Sequence, residues 1–286
     1  MRDGSWTRRS VLAAGTGIVL AGCAGRSGPS SRVSADGDVR TTSGGGVFED
    51  ISFDDGSMVV RLREGHDVSQ VNLIAPDGTS FAQARVPIGA TTVRMVILDI
   101  EPLGIDYEHY QPGIYELVAV SDSHAESRRL ELVPNLEISA VEYRSSQSSR
   151  PRLLVKIINT GTAPTWAYEI TYKYAPNYTA NGDLSDSPGI PLFSIPSDPT
   201  ETILDPGEER YFAGMSRPLL FRNEPTDACV NKTFEFIITV GAAGGGSPSQ
   251  RVRLVTGGRP VSSGLTGQYV CSEAAVLSPD TDNADV

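Results

Sequence analysis

The fold class is visible in the stretch LLVKIINTGTAP, residues 153–164. Leu153, Val155 and Ile157 occupy alternate positions, which places their side chains on one face of an extended strand. Residues 159–164 (NTGTAP) then end that strand, because glycine and proline interrupt a β-ladder and asparagine favours turns. The pattern predicts a β-strand with one buried face, followed by a tight turn.

The same alternation recurs along most of the chain, and no segment has the 3.6-residue period of an amphipathic helix. Before residue 134 it predicts about seven short strands at the spacing typical of a β-sandwich. The clearest turn is APDG at 75–78, where proline presets one dihedral and glycine accepts a positive φ. The best-defined strands of this half are Met58–Leu62, Val93–Leu98, 114–120 and 129–132. An all-β chain is therefore predicted.

Pro134 and Asn135 divide the series of strands into two predicted β-sandwich domains, at 47–134 and 135–277. Each is long enough to bury its own core. The second domain is interrupted by an irregular, proline-rich stretch that is predicted to form a long loop at 175–208.

Two short motifs carry a family resemblance. The apolar strand that ends in Asn159-Thr160-Gly161 resembles the adhesion-type sandwich modules called CARDB, in which this turn joins two neighbouring strands of an immunoglobulin-like sheet. Pro112–Leu117 is similar to the turn that leads into a strand in many secreted immunoglobulin-like modules. These resemblances imply two immunoglobulin-like domains, although the 175–208 loop departs from the pattern.

The N-terminus carries motifs for export and anchoring. Arg8 and Arg9 precede an apolar run, Val11–Ala21, that is shorter than the roughly 20 residues needed to cross a bilayer. This arrangement is typical of a cleavable twin-arginine signal, here residues 1–22. The ending LAGC resembles a lipobox, which implies lipidation of Cys23, attachment to the cell membrane and exposure to the exterior. In that family of signals, the cargo folds before export.

Two further segments have no apolar periodicity. Residues 23–46 are rich in glycine and serine, which predicts a flexible tether between the membrane and the folded part. Residues 278–286 are polar and acidic, which predicts a frayed tail.

The chain is acidic, with 24 Lys+Arg against 35 Asp+Glu and a formal net charge of −11. Its lysines are Lys156, Lys173 and Lys232. Such a surface remains hydrated at high salt, where charge repulsion is screened. Together with the signal it resembles haloarchaeal surface lipoproteins, and an acidic lipoprotein of another high-GC prokaryote is the alternative. A strongly acidic chain repels phosphate, so nucleic acid is not an expected partner.

Cysteine usage agrees with export. With Cys23 assigned to the lipobox, Cys229 and Cys271 remain as a pair in an oxidising compartment, and we predict a disulfide between them. Two isolated cysteines without nearby histidines do not fit a metal site. Asn177 and Asn231 each begin an N-x-T sequon, the acceptor for N-glycosylation in exported proteins.

No catalytic set is apparent. His66, His109 and His124 are predicted to be exposed loop residues outside any nucleophile motif. Calcium binding is an alternative role for two acidic clusters, residues 49–56 and the pair Asp183 and Asp186. Neither cluster has the spacing of a calcium-binding loop. We therefore predict no catalytic residue, no metal and no cofactor.

The aromatic stretch WAYEITYKY at 166–174 is the best candidate for a binding surface. Period-two alternation places its aromatic residues on one face, and the first of them are expected to fill a sandwich core. Near the long loop, Tyr172, Tyr174 and Tyr178 are predicted to form a platform for sugar or protein.

These observations predict a surface-anchored, non-catalytic binding or interaction module whose partner is a surface protein or glycan. The alternatives are an enzyme or enzyme accessory that uses loop carboxylates, and a structural surface spacer.

Overall fold

In the computed structural model, the chain is built from β-strands joined by turns. The structure describes residues 46–100, 107–145, 151–177, 199–214, 217–222, 227–244, 246–263 and 267–277. These residues all belong to one compact unit. The predicted signal with Arg8 and Arg9, the tether with Cys23 (Gly46 excepted) and the acidic tail lie outside the described residues.

Within those ranges, no helix is both long enough and apolar enough to cross a membrane.

The first nine strands form two main antiparallel sheets, ordered β1-β2-β5 and β4-β3-β8-β9, with β6 and β7 as a short separate ladder. Their bounds are β1 Phe48–Asp54, β2 Ser57–Leu62, β3 Val68–Ile74, β4 Ser80–Arg85, β5 Thr92–Val96, β6 Leu98–Ile100, β7 Tyr107–His109, β8 Gly113–Ser121 and β9 Ala125–Leu132. The inward residues of the two main sheets, such as Met58, Leu73 and Leu117, form one core. We call this part the first sandwich.

The remaining nine strands form a three-stranded sheet, β10-β11-β14, and a six-stranded sheet, β13-β12-β16-β17-β18-β15. Their bounds are β10 Leu136–Arg144, β11 Arg152–Asn159, β12 Thr165–Lys173, β13 Ile203–Leu204, β14 Glu209–Phe212, β15 Phe221–Arg222, β16 Thr233–Ala242, β17 Ser249–Ser262 and β18 Gln268–Leu277. Pro199–Thr202, just before β13, form a 3-10 turn. Val155, Ile157 and Phe236 lie in the core between these sheets. We call this part the second sandwich.

The predicted all-β sandwich fold is confirmed, and so is the APDG turn. Gly78 has φ of 84° and donates its N–H to the Ala75 carbonyl at 2.9 Å. Asp77 Oδ1 accepts the Thr79 N–H at 2.9 Å, which closes the turn from the side. The turn predicted from the sequence therefore joins β3 to β4, with glycine at the position that requires a positive φ.

The predicted strand Val93–Leu98 is instead two strands, β5 and β6, separated at Ile97. The N–H groups of Ile97 and Leu98 both donate to the Gly56 carbonyl, at 3.1 and 3.0 Å. The chain thereby leaves its ladder with β2 and pairs with β7. His109, predicted in a loop, is the last residue of β7. The first half consequently has more strands than the alternation predicts.

The NTG turn after β11 is held by one fully buried side chain, Asn159. Its Nδ2 donates to the carbonyls of Ala163 and Leu204 at 2.8 and 2.9 Å. Its Oδ1 accepts the N–H groups of Asn135 and Gly161 at 3.2 and 3.0 Å. The amide thus joins the connection between the sandwiches, the turn and β13.

Glycine is required at the third position of this turn. A Cβ at Gly161 would lie 2.4 Å from both the Asn135 nitrogen and the Val133 carbonyl oxygen, inside van der Waals contact with backbone atoms. The Asn-Thr-Gly sequence therefore allows the turn to pack directly against the connecting segment.

The two sandwiches share an apolar cluster. Its members are Leu98 and Ile100 from the first and Trp166, Tyr168, Ile203 and Ala243 from the second. Beside the cluster, the Tyr110 hydroxyl donates to the Pro164 carbonyl at 2.6 Å. Apolar packing and a buried hydrogen bond together fix the sandwiches against each other.

A second polar contact involves the tight turn between β1 and β2. Asp55 and Gly56 have φ of 49° and 75°, as a two-residue type I′ hairpin turn requires. This turn directs the Asp55 N–H toward the second sandwich, where it donates to Asp205 Oδ2 at 3.1 Å.

Candidate functional site

Strand β12 contains the aromatic stretch of interest, and its two halves face different neighbours. Trp166 and Tyr168 belong to the cluster between the sandwiches, whereas Tyr172 lies in the core of the second sandwich. The pairing with β16 shifts register between Ala167 and Glu169. Such a bulge changes which side chains share a face. The prediction that the alternate aromatic residues share one face is therefore wrong.

Of the three tyrosines predicted to bind a ligand, Tyr172 is buried, with 1% of its surface exposed. Its ring packs edge-on against Phe236, with 5.9 Å between centroids. Burial also raises the pKa of its hydroxyl. Tyr172 is a core residue, so its predicted place on a binding surface is wrong. Tyr178 lies outside the described residues.

Tyr174 differs from Tyr172, because it follows the end of β12 and is 78% exposed. Its φ of 66° is in the left-handed region, which is uncommon for an aromatic residue. Just beyond it, the Asn177 N–H donates to the Pro218 carbonyl at 2.9 Å, and its Nδ2 donates to the Arg217 carbonyl at 2.8 Å. The entrance to the 175–208 stretch is thereby fixed, and the Tyr174 ring projects from a well-defined base.

Tyr174 stands at the end of the second sandwich that is remote from the first. β12 touches the first sandwich near its start, at Trp166, and Tyr174 follows its opposite end. Because β16 runs antiparallel to β12, the turn before β16 lies at this same end. That turn exposes Val230, at 65%. We call this end of the second sandwich, where Tyr174, Val230 and Asn231 lie, the far end.

The predicted disulfide between Cys229 and Cys271 is confirmed, with 5.3 Å between the Cα atoms. It joins the turn before β16 to β18, and both cysteines are buried. Because the cysteines are 42 positions apart in the sequence, the chain-entropy relation gives about 4 kcal/mol of stabilisation. The bond therefore holds the turn before β16 against β18.

A charged cluster lies on the outer face of the three-stranded sheet, around Tyr211. The Arg144 guanidinium carbon is 4.4 Å from the Tyr211 ring centroid, and Lys156 Nζ is 5.6 Å away. The Tyr211 hydroxyl donates to Glu142, and Lys156 pairs with Glu209. The Tyr211 hydrogen bond, aided by Arg144, lowers the pKa of Glu142. The charged groups of this cluster pair with one another across the three strands, and these pairs link the strands of the sheet.

Two histidines serve local structure and are half-buried, although all three were predicted to be exposed. His66 Nδ1 accepts the Val68 N–H at 3.1 Å, while its Nε2 bonds the Ala90 carbonyl at 2.9 Å. His109 Nδ1 donates to the Tyr110 carbonyl at 2.8 Å. Both ring nitrogens of His66 therefore bond backbone groups, and so does Nδ1 of His109.

His124 is exposed, as predicted, and the structure brings two hydroxyls to it. Ser121 Oγ and Ser123 Oγ lie 2.9 and 3.1 Å from the same ring nitrogen, Nδ1. Ser121 Oγ also donates to the His124 carbonyl at 3.0 Å and accepts its N–H at 3.2 Å. These bonds close the turn between β8 and β9, a structural role that the sequence did not reveal.

Two aspartates of the acidic cluster at residues 49–56 are engaged in protein contacts. Asp54 pairs with Arg94 at 2.5 Å, and Asp55 forms the hairpin turn. In the described part of the chain, no group of three or more His, Cys, Asp or Glu residues is arranged to hold a metal ion. Asp183 and Asp186 lie outside the described residues.

No protein-family model matches the chain. No curated protein matches it in sequence.

Several solved structures are similar in part. A "Biofilm associated protein - BSP domain" has a TM-score of 0.23 and 13% identity over 71% of this chain and 28% of its own. A glycoside hydrolase family 2 beta-glucuronidase has a TM-score of 0.20 and 10% identity over 71% of this chain and 19% of its own. A glycosyl hydrolase family 2 member from Bacteroides cellulosilyticus has a TM-score of 0.19 and 13% identity over 69% and 23%. The chain thus spans less than a third of these proteins, and such low scores carry no argument about function.

Proposed function

We propose that this chain is a surface lipoprotein whose two joined sandwiches present a non-catalytic binding site away from the membrane. Arg8, Arg9 and Cys23 support export and lipid attachment, and the Gly/Ser-rich tether supports separation from the bilayer. The acidic, lysine-poor composition supports an origin in a salt-rich environment.

One observation carries the assignment of a binding role: the exposed ring of Tyr174 on a fixed base at the far end. A tyrosine presents a flat apolar face and a hydroxyl at low conformational cost, which suits both sugar and protein partners. The Asn177 hydrogen bonds fix the backbone next to Tyr174, so little ordering entropy is lost when a partner binds. A surface protein or glycan of the same cell envelope is the partner that this location favours.

The Tyr174→Ala variant tests this site. We expect the soluble chain from residue 24 to bind envelope preparations from its own cells, and the variant to bind them at least about tenfold more weakly, as loss of an aromatic anchor costs more than 1 kcal/mol. Ile88→Ala is the matched control, because Ile88 is a fully exposed apolar residue on the first sandwich. Equal binding by wild type and Tyr174→Ala would refute the site, and no binding by wild type would favour the structural spacer.

A further inference from the structure

The chain has two N-x-T sequons, and the structure places their asparagines in opposite environments. Asn177 is 8% exposed, and its Nδ2, the atom to which a glycan attaches, donates to the Arg217 carbonyl at 2.8 Å. Asn231 is exposed in the turn that precedes β16. A modifying enzyme that meets the folded protein therefore finds one accessible acceptor among the two.

The backbone around Asn231 is held in a shape that projects its side chain outward. Asn231 has φ of 48°, a left-handed conformation that asparagine tolerates well. On one side Cys229 is anchored by the disulfide. On the other, the Lys232 carbonyl accepts the Thr256 N–H at 2.9 Å and its hydroxyl at 3.1 Å. The hydroxyl-bearing residue of the sequon, Thr233, is also exposed, so the whole triplet is open to an enzyme.

We propose that Asn231 carries an N-linked glycan and that Asn177 does not. The proposal rests on the export proposed above. In the transfer, Asn231 Nδ2 forms a bond to the anomeric carbon of a lipid-phosphate-linked oligosaccharide. The bond from that carbon to the phosphate oxygen breaks, and the lipid phosphate leaves with the electron pair. The proton from Nδ2 passes to a base on the transferase.

The difference between the two sequons depends on when the chain folds. An unfolded chain presents both triplets equally, so a protein modified before folding acquires glycans at both. In the folded protein, modification of Asn177 breaks its side-chain hydrogen bond and forces a large polar group into a buried position. A twin-arginine cargo is folded when it reaches the exterior. Occupancy of Asn177 therefore reports the order of folding and modification.

The test uses the full chain, purified from the membranes of its source cells, with intact-mass measurement and glycopeptide mapping. We expect one glycan, on Asn231. Asn231→Gln and Thr233→Val each remove it, the second without altering the acceptor asparagine. Thr179→Val, which destroys the other sequon and leaves Asn177 in place, is the control and keeps the glycan.

Digestion of intact cells by an added protease separates the two proposals. A protein that is cleaved from outside yet has no glycan overturns the glycan site and leaves the surface location standing. A glycan on Asn177 overturns the proposal of a single acceptor. A protein that is protected from the protease and unmodified overturns both proposals.

Discussion

At the scale of single residues, the half-buried Tyr143 and the buried Tyr172 of the second sandwich have the same ring chemistry and different hydroxyl environments. The Tyr143 hydroxyl donates to the Cys271 carbonyl at 2.6 Å. The Tyr172 hydroxyl is buried without a hydrogen-bond partner among the described residues. A buried hydroxyl that loses its bonds to water and gains none in the protein costs free energy. The two side chains should therefore respond oppositely to loss of the oxygen.

We predict that Tyr172→Phe leaves stability unchanged or raises it by about 1 kcal/mol, because it removes an unpaired polar atom. Tyr143→Phe should lower stability by about 1 kcal/mol, because it leaves the Cys271 carbonyl without this donor. The free energy of unfolding from denaturant titration measures both, and the near-identical volume of the two changes makes each a control for the other. A larger loss for Tyr172→Phe than for Tyr143→Phe would contradict the assignment.

At the scale of elements, the turn between β1 and β2 meets the turn after β13 at Asp205. Burial raises the pKa of Asp205, the N–H groups of Asp55 and Gly56 oppose that rise, and the carboxylates of Glu208 and Asp55 add to it. A carboxyl whose pKa is higher in the folded state than in the unfolded chain holds its proton more tightly when folded. Its contribution to stability is therefore present at low pH and is lost as pH rises from 3.8 through the folded-state pKa.

We predict that Asp205→Asn, which keeps an oxygen to accept the Asp55 N–H, gains in Tm relative to wild type as pH rises from 4 toward 7. Thermal unfolding across that range measures the difference. Asp77→Asn is the control of opposite sign, because bonds from Thr79 lower the pKa of Asp77. The Tm deficit of that variant should be largest near neutral pH and shrink as pH falls. If the Tm difference between Asp205→Asn and wild type stays constant across this pH range, the pKa of Asp205 does not differ between the folded and unfolded states.

The strands that the sequence predicted well are those with one buried face. Met58, Val60 and Leu62 alternate in the sequence and are all fully buried on one side of β2. β12 is different, because eight of its nine residues are buried and polarity no longer distinguishes its faces. A bulge in such a strand leaves no mark in the hydrophobic pattern. The alternation of apolar and polar residues therefore could not predict the contact between the sandwiches at Trp166.

The partners of the key polar residues were also beyond prediction, for a related reason. The sequence marked Asn159 as the end of a strand, a local property of the chain. Its bond to the Leu204 carbonyl spans 45 residues, and the bond from Asp55 to Asp205 spans 150. Such pairs are set by how the sheets pack. For the same reason, nothing in the triplets themselves distinguished Asn177 from Asn231.

At the scale of the whole molecule, the dominant electrostatic property is the net charge of −11. The ion pairs of the described residues, such as Arg94 with Asp54 and Arg251 with Glu235, are largely exposed. Exposed pairs contribute little and weaken as salt is added. Repulsion among the excess carboxylates is also screened by salt, and this second effect stabilises the fold. Added salt therefore changes stability in opposite directions through these two effects. Because the net charge is large, we expect the screening of repulsion to be the larger effect.

We therefore predict that Tm at pH 7 rises as KCl is added, with most of the gain below about 0.5 M, since the Debye length shrinks from about 30 Å at 0.01 M to about 3 Å at 1 M. The control is the same titration near pH 4.8, the sequence pI, where the net charge vanishes. If repulsion between carboxylates causes the effect, the salt dependence there should be small. A general stabilisation by excluded solutes would instead persist at both pH values and grow at multimolar salt. A Tm that stays constant from low to molar KCl at pH 7 would count against a salt-adapted surface.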